Sequence, residues 1–113
     1  MSATQDVCEV IITAPDPQWI KDFTTYLVNE HLAACGHWQS IESTYTWRGA
    51  IHHDTETRVA IHTRTALFDR IAALATDRHP YDVPCVIALP ITQASDDYVR
   101  WILESTTAES GST

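Results

Sequence analysis

Between Cys35 and Thr63 the chain has one place to reverse tightly, Arg48-Gly49, and the residues on either side are rich in Ser, Thr, Tyr and Ile. Such runs favour extended backbone, so the stretch reads as a single, unusually long β-hairpin. Its arms do not agree on one apolar face. Ile41, Tyr45 and Trp47 share a face of the first arm, yet strict pairing across a two-residue turn sets Glu56 opposite Ile41 and turns Val59 and Ile61 the other way. A bulge between Trp38 and Ile41 is expected to reconcile them.

The flanking segments fit around this hairpin. Val7 to Thr13 is an apolar, β-branched run of the kind found in central strands. Asp16-Pro17 then supplies a helix cap followed by proline at the first helical position, and Ile20, Phe23, Leu27, Val28 and Leu32 recur with helical spacing to about Ala34. After the hairpin, Thr65 is expected to cap a second helix with Leu67, Ile71, Leu74 and Ala75 facing inward. That helix should end near Arg78, because the prolines of Arg78-His79-Pro80-Tyr81-Asp82-Val83-Pro84 push His79 and Val83 toward extended backbone. Val86 to Pro90 reads as a last strand, and Asp96 as the cap of a short helix with Tyr98, Trp101 and Ile102 on one face.

The order is β-α-β-β-α-β with a helix appended: an α+β, ferredoxin-like arrangement. Right-handed crossovers give an antiparallel four-stranded sheet with both long helices on one face. The other face stays uncovered, which predicts oligomerisation through the sheet or the hairpin. One domain over residues 7–104 is expected, with the small, polar ends 1–6 and 105–113 flexible.

A formal charge of −8 with only seven Lys and Arg opposes phosphate neutralisation, so neither nucleic acid nor a membrane surface is an expected partner. Met1 to Asp6 lacks the basic start and apolar run of a signal peptide, and a soluble, intracellular protein is expected. Three widely spaced Cys make no disulfide framework, and three Gly make no phosphate cradle. Six His and three Cys invite a metal reading, but no C-x-x-C or H-x-x-x-H occurs. Cys35 and His37 fall on one side of a strand, as a ligand pair or as a small buried Cys beside an exposed His. The adjacent His52 and His53 point to opposite faces, as a solvated hairpin tip or part of a site. His79 has a restrained backbone and neighbours, Arg78 and Asp82, able to tune its charge; its segment is a functional mount or a stiff connector. Cys–His catalysis would need Cys85 or Cys35 beside His79 or His37, and nothing marks an oxyanion hole, so no enzyme is expected.

Four ordered segments, Thr13-Ala14-Pro15-Asp16, Leu32-Ala33-Ala34-Cys35, Tyr45-Thr46-Trp47-Arg48-Gly49 and His79-Pro80-Tyr81-Asp82-Val83-Pro84, resemble the CutA-type divalent-cation tolerance proteins. The match runs from about Val7 to Leu103. It implies a cytoplasmic, non-enzymatic homotrimer whose long hairpins cross neighbouring subunits. It also implies an inter-subunit cleft lined by Cys35, Tyr45, Trp47, His79 and Tyr81. A role in tolerance to copper and other divalent cations follows, with weak binding of Cu or Zn in which His79 is the expected metal ligand and Cys85 or Cys35 a candidate contributor. The alternative is a trimer like the PII signalling proteins, whose clefts take a small ligand or a protein partner.

The departures from the family pattern concern the same cleft. Arg48 and Ala50 replace a usual Glu and Lys at the hairpin tip, His62 replaces a second Lys, Cys85 replaces a Glu, and Arg78 and Ile12 stand where some members carry His and Cys. The arm between Cys35 and Tyr45 is one residue shorter than the pattern. Cys85 in the cleft adds a soft ligand suited to Cu or Zn, or else the changes together exchange one salt-bridge network for another.

Overall fold

The computed structural model describes residues 6–107. Strand β1 (Val7–Ala14) leads into helix α1 (Pro17–Asn29), then strands β2 (Cys35–Trp47) and β3 (Ala50–Arg64). A 3-10 turn (Thr65–Leu67) runs into helix α2 (Phe68–Arg78), followed by strand β4 (Val86–Pro90) and helix α3 (Asp96–Ser105). The sheet has the order β2-β3-β1-β4, and every neighbouring pair is antiparallel. The α+β order expected from the sequence is therefore the observed one.

Alternation along the strands divides the core cleanly. Cys8, Val10, Ile12, Val59 and Ile61 point to one face and pack with Ile20, Phe23 and Leu27 of α1 and Ile71 and Ala75 of α2. Among the described residues the opposite face is covered only at its base, where Val99 and Ile102 of α3 meet Val7 and Ala34. Toward β4 that face leaves Ile87 and Leu89 exposed.

The hairpin contains no bulge. Pairing runs unbroken from Cys35↔His62 to Trp47↔Ala50, with Ile41 opposite Glu56. Arg48 and Gly49 both take positive φ, 53° and 79°, as the tight turn that matches strand twist requires. The expected bulge rested on the premise that both arms bury one common face. In fact Val59 and Ile61 belong to the helix-covered face, whereas Ile41, Tyr45 and Trp47 belong to the open one, so the apolar stripe changes sides between base and tip.

Helix ends also differ from expectation. Helix α1 stops at Asn29, five residues short of Ala34, because His31 turns to φ 59° and the chain folds back. Leu32 N–H then donates to Leu27 O (2.9 Å) and His31 N–H to Val28 O (3.1 Å), the two bonds of a Schellman termination. Leu32 is buried by that return, and Ala34 N–H joins the sheet at His62 O. Thr65 opens the 3-10 turn and caps nothing; its hydroxyl faces the Cys8 thiol. Ser95, not Asp96, caps α3 by accepting from Tyr98 N–H. The buried face of α3 is Val99 and Ile102, while Trp101 is exposed and stacks on Tyr98.

Most of the ends expected to be flexible lie outside the described residues. Within them, Thr106 is buried, accepts from Arg64 Nε (3.0 Å) and donates to Ile102 O, and Thr107 N–H donates to His31 O.

Candidate functional site

The open face carries two groups of functional side chains, at opposite ends of the β2–β3 pair. Near the tip, a cavity of about 690 Å³ is lined by Thr13, Tyr45, Trp47, Glu56, Tyr81 and Cys85, among others. Both tyrosines stand beside carboxylates. The Tyr45 hydroxyl donates to Asp54 Oδ2, and this bond above all pushes its phenol up to about 12. Burial first, and then the Glu56 and Asp54 carboxylates, raise the Tyr81 phenol. These phenols are donors held in the protonated form. The cavity can orient a polar ligand against an aromatic wall of Tyr45, Trp47 and Tyr81, with the free Cys85 thiol at its edge.

His79 stands behind this cavity and does not line it. Its Nε2–H donates to Thr13 O (2.7 Å), and Nδ1 accepts from Tyr81 N–H (3.0 Å). Trp19 meets the ring edge-on at 4.9 Å and donates its own Nε1–H to Arg78 O. With both nitrogens on backbone partners, the imidazole has no lone pair to offer a metal. Its evident work is to tie the proline segment to β1 and to aim Tyr81 at the cavity.

At the base, strand register places Cys35 directly across from His62, and His37 follows two residues along the same face. One donor atom from each of the three lies within 4.8 Å of the other two. Cys35 Sγ is 3.8 Å from His62 Nδ1 and 3.3 Å from the Tyr98 hydroxyl, which itself is 2.6 Å from His62 Nδ1. His62 Nε2 is 2.8 Å from Glu9 Oε2. An ionised Glu9 can only accept, which assigns the His62 proton to Nε2; the bonds then run as a chain from Cys35 S–H to Tyr98 O, Tyr98 O–H to His62 Nδ1 and His62 Nε2–H to Glu9. Burial first, then the Cys35 hydrogen bond, pushes the Tyr98 phenol well above its ordinary value.

The structure thus brings together Tyr45, Trp47, Tyr81 and Cys85, and separately Cys35 with His37. It does not bring the two sets together within one chain. His62 entered the sequence reading only as a replaced Lys, and Glu9, Tyr98, Asp54 and Glu56 not as site residues at all. Alternation along a strand relates Cys35 to His37, but only the register of a 28-residue hairpin relates them to His62.

The family model described as "CutA1 divalent ion tolerance protein" matches residues 8–105. A protein of Arabidopsis thaliana named "Protein CutA, chloroplastic" is 41% identical over 86% of the chain, which spans only 54% of that protein's length. The "Divalent-cation tolerance protein CutA" of Pyrococcus horikoshii is 31% identical over 86% of the chain and 95% of its own length. Among solved structures, CutA1 from Oryza sativa superposes with a TM-score of 0.88 at 36% identity, covering 94% of the chain and 98% of its own. The shared fold, the matched span and these identities assign the chain to the CutA1 divalent ion tolerance family.

Proposed function

We propose that the protein acts as a homotrimer in tolerance to divalent cations, binding a metal such as Cu or Zn weakly and directly, without catalysing a reaction. The observation that carries this reading is the split of the cleft residues along one strand. Ten residues of extended chain, roughly 33 Å, separate Cys35 from Tyr45, so Cys35 and the tip cavity line a common cleft only if a second copy supplies one of them. The tip is suited to such a contact: Trp47 is half exposed, Ile51 is 68% exposed, and both stand clear of the chain's own core. In this reading Cys35, Tyr45, Trp47, Tyr81 and Cys85 line the inter-subunit cleft, and His79 is its frame.

The family match supports the tolerance role, and the cytoplasm is the proposed compartment. Among the described residues no helix is long and apolar enough to cross a membrane. The signalling alternative is favoured by the cavity alone, and among the described residues no glycine-rich loop lines it.

Native mass spectrometry of the full chain tests the assembly and calorimetric titration with Cu²⁺ and Zn²⁺ the binding. A trimer that takes up metal is expected. A monomer at every concentration would sink the architecture, and a trimer inert to both ions would favour the signalling alternative.

A further inference from the structure

The base of the open face has the makings of a metal centre that owes nothing to His79. Three donors of the right chemistry converge there: a thiol and two imidazoles, a set that suits borderline and soft divalent ions better than hard ones. The 3.8 Å between Cys35 Sγ and His62 Nδ1 is close to the roughly 3.6 Å edge that a tetrahedral ion holding one sulfur and one nitrogen imposes. His37 is exposed, so an ion has a way in from solvent.

The surroundings add what a bare triplet of donors lacks. Glu9 accepts the Nε2 proton of His62 and so leaves the lone pair on Nδ1, the nitrogen nearer Cys35. This is the carboxylate–histidine pairing that orients imidazoles toward metals. That lone pair is occupied in the chain as it stands: the Tyr98 hydroxyl donates to it and also contacts Cys35 Sγ. Tyr98 therefore sits where it bridges the two donors, and it is carried on α3, an element outside the sheet.

We propose that Cys35, His37 and His62 bind a divalent cation of the Zn²⁺ class, with Glu9 positioning His62 and Tyr98 as the group that the ion displaces from His62 Nδ1. The proposal rests on the metal-binding reading above and gives it a location. Binding takes the thiol proton of Cys35 to solvent and leaves a thiolate–metal bond. The Tyr98 proton stays on its oxygen, and the hydroxyl gives up His62 and turns to water. No electron is transferred, and the fourth position remains open to water.

The site can be tested on the full chain, kept reduced, with Co²⁺ as an optical probe and Zn²⁺ by calorimetry. A thiolate-to-cobalt absorption band is expected in the native chain and absent from Cys35→Ser. His37→Ala, an exposed change that leaves the fold intact, and His62→Ala should weaken Zn²⁺ binding by more than Glu9→Gln, for which about tenfold is expected. Tyr98→Phe should tighten Zn²⁺ binding by about fivefold, because it removes the hydrogen bond that competes for Nδ1, whereas a purely structural Tyr98 would give no gain. A cobalt complex without the thiolate band, or Zn²⁺ affinity unchanged in both His37→Ala and His62→Ala, overturns the site while leaving metal binding elsewhere intact. Failure of the native chain to bind either ion overturns the site and the metal-binding function together.

Discussion

The two ends of the β2–β3 pair are built from the same two strands and obey different masters. At the base, Val59 and Ile61 are closed off by α1 and α2, and the reverse side of the same residues' neighbours is backed by α3. At the tip, Tyr45, Trp47 and Ile51 are covered by no helix among the described residues; Tyr45 stacks on His52 across the strands at 5.7 Å, Arg48 lies over Trp47, and Tyr45 and Trp47 share an open cavity with Tyr81. Side chains at the base are therefore fixed by folding, and those at the tip are left for association or a ligand. A substitution should accordingly report on stability at one end and on assembly at the other.

The sharpest way to break this contrast is to truncate an isoleucine at each end. Ile61→Ala removes a fully buried side chain from the helix-covered core and should cost about 2–5 kcal/mol by denaturant unfolding. Ile51→Ala should leave the unfolding free energy of the isolated chain within about 0.5 kcal/mol and act instead on the proposed self-association. Comparable losses from both would mean that the tip is part of the folding core after all.

A smaller effect tests how closely α1 is seated on the base. A Cβ at Gly36 would lie 2.6 Å from Thr24 Cγ2 and 3.1 Å from Val59 Cγ2, and Thr24 is β-branched, buried and slow to yield. Gly36→Ala is expected to destabilise by about 1–3 kcal/mol through overpacking. An unchanged unfolding midpoint would show that the helix rides free of the strand there.

The smallest effect belongs to the tip and is read by ultraviolet titration of the tyrosines. Because the folded Tyr45 phenol lies at about 12 against an ordinary 10.0, its bond to Asp54 contributes stability that is complete below pH 10 and lost as the pH rises through about 12. Asp54→Asn should return Tyr45 toward 10 and remove this small, solvent-screened contribution at neutral pH, so that stability no longer falls between pH 10 and about 12. A phenol that stays high in the variant would assign the shift to something other than Asp54.

How far these ends were legible in the sequence follows from the range of the interactions that shape them. The Arg48-Gly49 turn, the order of elements along the chain and the end of α2 at Arg78 depend on local chemistry, and each could be read directly. The end of α1 could not, since the left-handed position that signals termination is filled by His31 where glycine is the usual mark. The expected bulge is absent for a different reason: hydrophobic patterning assumes one interior, and a hairpin that serves its own core at one end and an outward surface at the other carries two apolar stripes out of phase. The flanking prolines single out His79, but whether its Nε2 is free depends on Thr13 O, sixty-six residues away. The Cys35, His37 and His62 grouping lay beyond reach because His62 takes its place only once every pair between it and the turn is counted.

The unbroken ladder limits how the hairpin can change length. With pairing unbroken from Trp47↔Ala50 to Cys35↔His62, one added or deleted residue in either arm would rotate every side chain beyond it to the opposite face unless a bulge absorbed the change. His62 would then swing in among the helices, Ile61 would emerge into solvent, and Cys35 would lose its companion. Two residues added together would preserve the faces and merely slide the pairing. Single-residue length variation in this hairpin is thus a coupled alteration of interior and surface, and no drift at the tip is private to the tip.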